Sequence, residues 1–229
     1  MPLPTSALGG RIQAPLRVSG IKAQTRLLSP TPVATLTLSD TFTDVAAGST
    51  TAMLSTGVAG PNTTTSTVLA ASFDGAIGVT GVIPVGRNVV VTVTHGSSVV
   101  AVSGTITGTD KYGRVITEAW SVTATGTTKT FTGAKAFKSV VSISITAAAD
   151  ASANTVKLGT GNLLGLSYPA AAPKIIAETQ DGAAPTAGAL VAASSSASAD
   201  RRGTYAPNAT PDGSKDFVVW YLVDDATGI

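Results

Sequence analysis

Threonine and β-branched aliphatic residues alternate along this chain with period two, and that pattern constrains its fold more than any other feature. Residues 33–38 (VATLTL) set the theme, and it returns over 88–94, 99–107, 115–123, 138–146, 156–158 and 217–223. Side chains stiff at χ1 favour the pleated backbone, and successive residues of a strand face opposite sides. Turn formers separate the runs: Asp74-Gly75, His95-Gly96, Asp110 to Gly113, Thr125-Gly126, Asn154 and Asp212-Gly213. Apolar spacing of the helical kind is confined to a weak stretch over 187–199. Many short strands with frequent turns predict an all-β protein, a β-sandwich or β-barrel-like body.

Residues 1–32 break the alternation. Pro2, Pro4, Pro15, Pro30 and Pro32 fix φ and bar helix interiors, so the segment reads as an extended arm. Arg11, Arg17, Lys22 and Arg26 lie in or beside its apolar residues with no acid among them, leaving 11 of the 15 basic groups and all 13 acids to the rest of the chain. Leu3, Leu8, Ile12, Leu16, Ile21, Leu27 and Leu28 are too many for a purely solvated tail and call for a surface to lie on. Three parts are expected: the basic arm at 1–32, a β-rich body at 33–168, and a segment at 169–229. That last segment opens with a small-residue connector, passes through the low-complexity stretch 183–199, and ends in a strand docking back on the body.

Composition closes off most chemistry. Cysteine is absent and histidine occurs once, which excludes disulfide frameworks, thiolate zinc sites, cysteine nucleophiles and multi-histidine metal centres. His95 has Ser97, Ser98 and Asp74 near it in sequence, but no G-x-S-x-G elbow accompanies it, and it reads as a polar turn residue. Glu118 and Trp120 share one strand face in a pattern that would suit a glycosidase, yet a surface Glu beside an edge or interface Trp is the simpler reading. The run 212–216 lacks the ligand spacing of a calcium loop. Gly133-Ala134-Lys135 lacks the Walker spacing, and 159–165 misses the dinucleotide fingerprint. The expectation is therefore no catalytic residue, no cofactor and no metal. A mean hydropathy of +0.32 comes without an uninterrupted apolar run long enough to span a bilayer, since Pro169, Pro173 and Lys174 break the best one. The N-terminus lacks the pattern of a signal peptide, so a soluble protein made in the cytoplasm, binding neither membrane nor nucleic acid, is expected.

Residues 104–118 (GTITGTDKYGRVITE), Gly126-Thr127-Thr128 and then 133–140 (GAKAFKSV) carry something more specific than composition. This sequence of a strand, a D-x-x-G turn, an I-T-E strand and K-A-F-K-x-V resembles small β-rich virion proteins of tailed bacteriophages. The stretches 201–207 and 211–213, leading into Val219-Trp220-Tyr221, are similar in character. Among those proteins, capsid decoration (cement) proteins are similar in size, β content and lack of cysteine. The resemblance implies a symmetric, trimeric plug on the major capsid protein lattice, with the virion as its destination and assembly in the host cytoplasm. On that reading Arg11, Arg17, Lys22 and Arg26 form a capsid-contact arm, and Trp120, Tyr205, Trp220 and Tyr221 an oligomer or glycan-binding surface. A tail, neck or head-fibre component, a carbohydrate-binding adhesin and a glycosidase accessory domain are the alternatives.

Overall fold

The computed structural model describes residues 35–95, 101–122, 128–148 and 153–224. These residues are all-β, as expected. The strands are β1 (Thr35–Phe42), β2 (Leu54–Ala59), β3 (Ser66–Leu69), β4 (Val82–Thr94), β5 (Val102–Thr109), β6 (Val115–Val122), β7 (Thr128–Ile145), β8 (Thr155–Gly165), β9 (Ala170–Gln180), β10 (Ala189–Val191), β11 (Thr204–Ala206) and β12 (Phe217–Asp224). Two short 3-10 turns span Ala70–Ser72 and Gly78–Thr80.

Nine strands form one sheet in the order β10-β11-β8-β4-β7-β5-β6, with β2 added to β8 and β3 to β7. All these pairings are antiparallel. Strand β7 organises the sheet: its first half pairs with β4, and its second half pairs with β5 and β3. The register slips where the two halves meet, between Val82/Arg87 and Asn88/Val90 on the β4 side. Such slips bend a strand and raise its twist. Asn88 fills the irregularity. Its Nδ2 donates to the Gly133 carbonyl at 2.8 Å and its Oδ1 accepts the Leu163 N–H at 3.0 Å, so the ladder groups freed by the slip regain partners. Gly161 is required beside it, because a Cβ there would lie 2.4 Å from Asn88 Oδ1. The interior of this sheet is mainly aliphatic, built on Val89, Val91, Val93, Ile106, Ile143, Ile145 and Leu158 around Phe137.

The other sheet has three strands in the order β1-β12-β9. Strand β1 pairs with β12 over its whole length, from Thr35↔Asp224 to Phe42↔Phe217. Residues 35–42 thus leave the body in which the sequence reading placed them and join the C-terminal segment. The final strand does dock back, and its dock is the first described strand. Phe42, Leu166, Tyr205, Phe217, Val219 and Tyr221 make a second core between the two sheets.

The small-residue connector is largely β9. Alanines and a proline have low strand propensity, so nothing local announces it; cross-strand partners in β12, such as Ile175↔Tyr221, hold it extended. Pro173 is tolerated because β9 is an edge strand, where the missing N–H need not feed a ladder. The weak helical signal over 187–199 is not a helix but β10 followed by a loop. The strands β2, β3, β10 and β11 were also unannounced, each being short and held by longer neighbours.

Candidate functional site

The two sheets meet at a chain of buried polar groups. Asp40, facing inward from β1, accepts hydrogen bonds at Oδ2 from the Ser167 N–H and the Tyr221 hydroxyl, both at 2.7 Å, and at Oδ1 from the Ser167 hydroxyl. The Tyr221 oxygen in turn accepts the Tyr168 N–H at 3.2 Å. Lys111 Nζ donates to Ser167 Oγ, and the Tyr112 hydroxyl donates to the Ser167 carbonyl at 2.9 Å. The Arg202 guanidinium lies 4.3 Å from the centre of the Tyr112 ring, and its Nη1 reaches Asp110 Oδ2 at 2.6 Å. Four distant stretches of sequence, around residues 40, 110, 167 and 202–221, are tied in this one chain of contacts.

Local chemistry explains each anchor. Asp110 opens the β5–β6 turn, where its Oδ1 accepts the N–H groups of Tyr112 at 2.7 Å and Arg114 at 3.0 Å. Gly113 closes that turn at φ +78°, a left-handed conformation that favours glycine. Burial pulls the Asp110 carboxyl upward, but Arg202 and the two N–H groups outweigh it, so its pKa lies below the ordinary value. Burial pushes the Tyr221 hydroxyl up, and the Asp40 carboxylate beside it adds to the effect. Burial likewise raises Tyr112.

A cleft of about 310 Å³ opens beside this network, lined among others by Asp40, Lys111, Lys138, Asp200 and Arg202. Ser167 Oγ lies within reach of a lysine amine and a carboxylate, which invites comparison with a nucleophile and its base. The Ser167 hydroxyl donates to Asp40 and accepts from Lys111 Nζ, so Ser167 links β1 to the β5–β6 turn. Among the described residues no group of three or more His, Cys, Asp or Glu side chains is placed to hold a metal ion. No helix among them is long and apolar enough to cross a membrane.

The aromatic surface expected from sequence is largely interior. Trp120, Tyr205 and Tyr221 are exposed by 2 %, 1 % and 0 %. Trp120 packs in the large-sheet core, while Tyr205 and Tyr221 pack in the junction core. None of the three is available to stack on a glycan or to meet a second copy. Their strands place them on inward-facing positions of the alternation, which aromatic content alone does not reveal. Trp220 differs: it lies on the other face of β12, half-buried, opposite Ser39 and Ala177. Arg11, Arg17, Lys22 and Arg26 lie outside the described residues.

Two further expectations change. His95 is 7 % exposed rather than a solvated turn residue, because the β4–β8 pairing ends at Thr94↔Thr155 and sets His95 beside Asn154. Its Nδ1 is 3.1 Å from Asn154 Oδ1. Glu118 is buried too. It reaches across to β7, where Oε1 accepts the Ala134 N–H at 2.6 Å and the Lys135 N–H at 3.3 Å, while Oε2 has no partner. Asp200 Oδ2 accepts the next N–H, that of Ala136, at 2.8 Å. Two carboxylates therefore satisfy a stretch of β7 where another strand would otherwise pair.

No protein family, curated protein or solved structure matches the chain.

Proposed function

We propose that the chain is a non-enzymatic structural protein that binds and stabilises a phage capsid surface as a decoration protein, working as a homo-oligomer with a trimer favoured. The observation that carries this reading is the small sheet. Its outward face alternates against the junction core and presents Thr37, Ser39 and Thr41 of β1, Val218, Trp220 and Leu222 of β12, and Ala177 and Thr179 of β9. Lys174, exposed and next to the inward Ile175, adds one cation on the β9 side of this face. Low charge around a half-exposed Trp is a feature of the centre of a protein interface. The same sheet begins at Thr35, where the proline-rich basic segment 1–32 leads directly into its edge strand.

The polar side chains that would serve an enzyme are engaged internally: Asp40 with Ser167 and Tyr221, Asp110 with Arg202, Glu118 with β7. An adhesin reading loses three of its four aromatic platforms to the interior. In the arm, Leu and Ile side chains supply burial, and Arg11, Arg17, Lys22 and Arg26 supply pairing with acidic groups. Exposed ion pairs are each worth only about 0.2–1 kcal/mol, so apolar burial and multivalency carry most of the affinity.

The test is deletion of residues 1–30, which leaves every described strand intact, followed by occupancy on purified capsids. The truncated protein is expected to keep its oligomeric state and to lose decoration. Wild-type occupancy would assign attachment to the β body instead. Absence of the full-length protein from any virion would reject the decoration role altogether.

A further inference from the structure

The loop 193–202, the first residues of β6 and Pro169 enclose an open groove of about 1070 Å³. Its loop wall is pre-formed. The Ser194 N–H donates to the Asp200 carbonyl at 3.0 Å, the Ala199 N–H to Ser196 at 3.1 Å, and the Ala193 N–H to Ala170 at 3.0 Å. The ionisable side chains lining the groove are Asp110, Asp200, Arg114, Lys135, Arg201 and Arg202. Asp110 is neutralised by a cation, whereas Asp200 keeps its charge and is held by backbone N–H groups. Asp110 is paired with Arg202 at 2.6 Å, and Asp200 accepts the N–H groups of Ala136 and Arg202 at 2.8 Å and of Gly203 at 3.1 Å. Two of the remaining cations have no counter-ion among the described residues. Arg114 and Arg201 are exposed, and their guanidinium groups make no hydrogen bond or ion pair among the described residues. Lys135 Nζ donates to the Thr117 carbonyl at 2.7 Å, and its charge also acts on the buried Glu118 carboxyl.

We propose that this groove docks an extended, carboxylate-rich segment of a partner protein, with Arg114, Lys135 and Arg201 as its anchors. A guanidinium fork matches a carboxylate bidentately, and two such forks here are free to do so. The rest of the lining fits a peptide: the hydroxyls of Ser194, Ser195 and Ser196 border one side, and exposed Val115 gives an apolar contact on the other. No aromatic ring lines the groove, so unpaired nucleic-acid bases would find nothing to stack on. Because the loop is held at its neck, little ordering remains to be done when a ligand enters. The groove is built by β6 and the 193–202 loop of the large-sheet side, not by the outer face of the small sheet, and the partner it takes is acidic.

The experiment uses the full-length protein and a fluorescein-labelled peptide of alternating Glu and Asp, with the Gln/Asn peptide of equal length as control. Anisotropy is expected to show the acidic peptide bound at least about tenfold more tightly than the amide peptide, with binding weakened by added salt. The double substitution Arg114→Ala and Arg201→Ala is expected to weaken binding about tenfold while leaving the melting temperature unchanged, since neither side chain has an internal partner. Equal binding of the two peptides, or wild-type affinity in the double variant, overturns the proposal. Tighter binding of a single-stranded oligonucleotide, abolished by the same substitutions, overturns it in favour of nucleic acid. Capsid occupancy of the double variant is read separately, so that failure of the groove and failure of the decoration reading can be told apart.

Discussion

The large sheet and the sheet junction are held together by different physics. Inside the large sheet the packing is mainly aliphatic, a continuous cluster from Met53 to Leu158 in which Phe73, Trp120 and Phe137 sit among the Val, Ile and Leu delivered by strand alternation. At the junction the packing is aromatic, with Phe42, Tyr205, Phe217 and Tyr221 around the Asp40–Ser167 contact. Apolar burial is non-directional and tolerates small shifts, whereas a buried carboxylate with three donors requires one geometry. The first arrangement supplies cohesion. The second fixes how the small sheet, which carries the outward Trp220, is presented.

Substitutions separate the two. Phe137→Ala in the large sheet removes a side chain with no exposed surface and is expected to cost about 3–5 kcal/mol, lowering the stability of the whole chain in a single transition by urea denaturation. Asp40→Ala is expected to cost about 3 kcal/mol, because the Ser167 N–H, the Ser167 hydroxyl and the Tyr221 hydroxyl lose their acceptor together. Its signature should be local. Hydrogen exchange is expected to rise first in β1, β9 and β12 while β4, β7 and β8 stay protected. Uniform loss of protection would mean that the sheets form one cooperative unit and that the contrast drawn between them is energetic only. Trp220→Ser is expected to cost only about 1–2 kcal/mol, since the ring is half-buried, but to shift the proposed oligomer toward monomer in light scattering. An unchanged oligomer would remove the outer face of the small sheet from the interface.

The same contrast explains what could be read from residues alone. Alternation made β4, β5, β6 and the second half of β7 visible, because each carries its own stiff side chains and its own turn; Asp110 and Gly113 mark the β5–β6 turn by local chemistry. The junction has no such local marker. Asp40 and Tyr221 are 181 positions apart, and Asp110 and Arg202 are 92 apart. Each looks like an ordinary surface polar residue until the strands are paired. Strand β9 was hidden because Ala and Pro have no strand preference of their own, and the aromatics were misplaced because period two says that faces alternate without saying which one is inward. In Trp120 and Glu118 the shared face was read correctly and its direction was not.

Glu118 gives the smallest effect and the sharpest sign. Burial holds its carboxyl above the ordinary value of 4.5, against the lowering pull of the Ala134 and Lys135 N–H groups and the Lys135 charge, with Asp200 adding to the rise. A carboxyl raised in the folded state favours folding while protonated. That contribution is fully present below the unfolded value and is lost as pH rises through the folded one. Glu118→Gln keeps an Oε1 to accept the same two N–H groups and cannot ionise. At pH 4 the variant is expected to match wild type within about 1 kcal/mol. As pH rises toward neutrality, wild type is expected to lose stability relative to the variant. Asp110, whose pKa is lowered, contributes with the opposite sign, giving stability that is lost as pH falls; it is common to both proteins and cancels in the difference. Urea denaturation of the pair across this range is the measurement. Parallel curves would show that Glu118 is solvated where β6 crosses β7, and that the large sheet is not sealed there by a buried carboxyl.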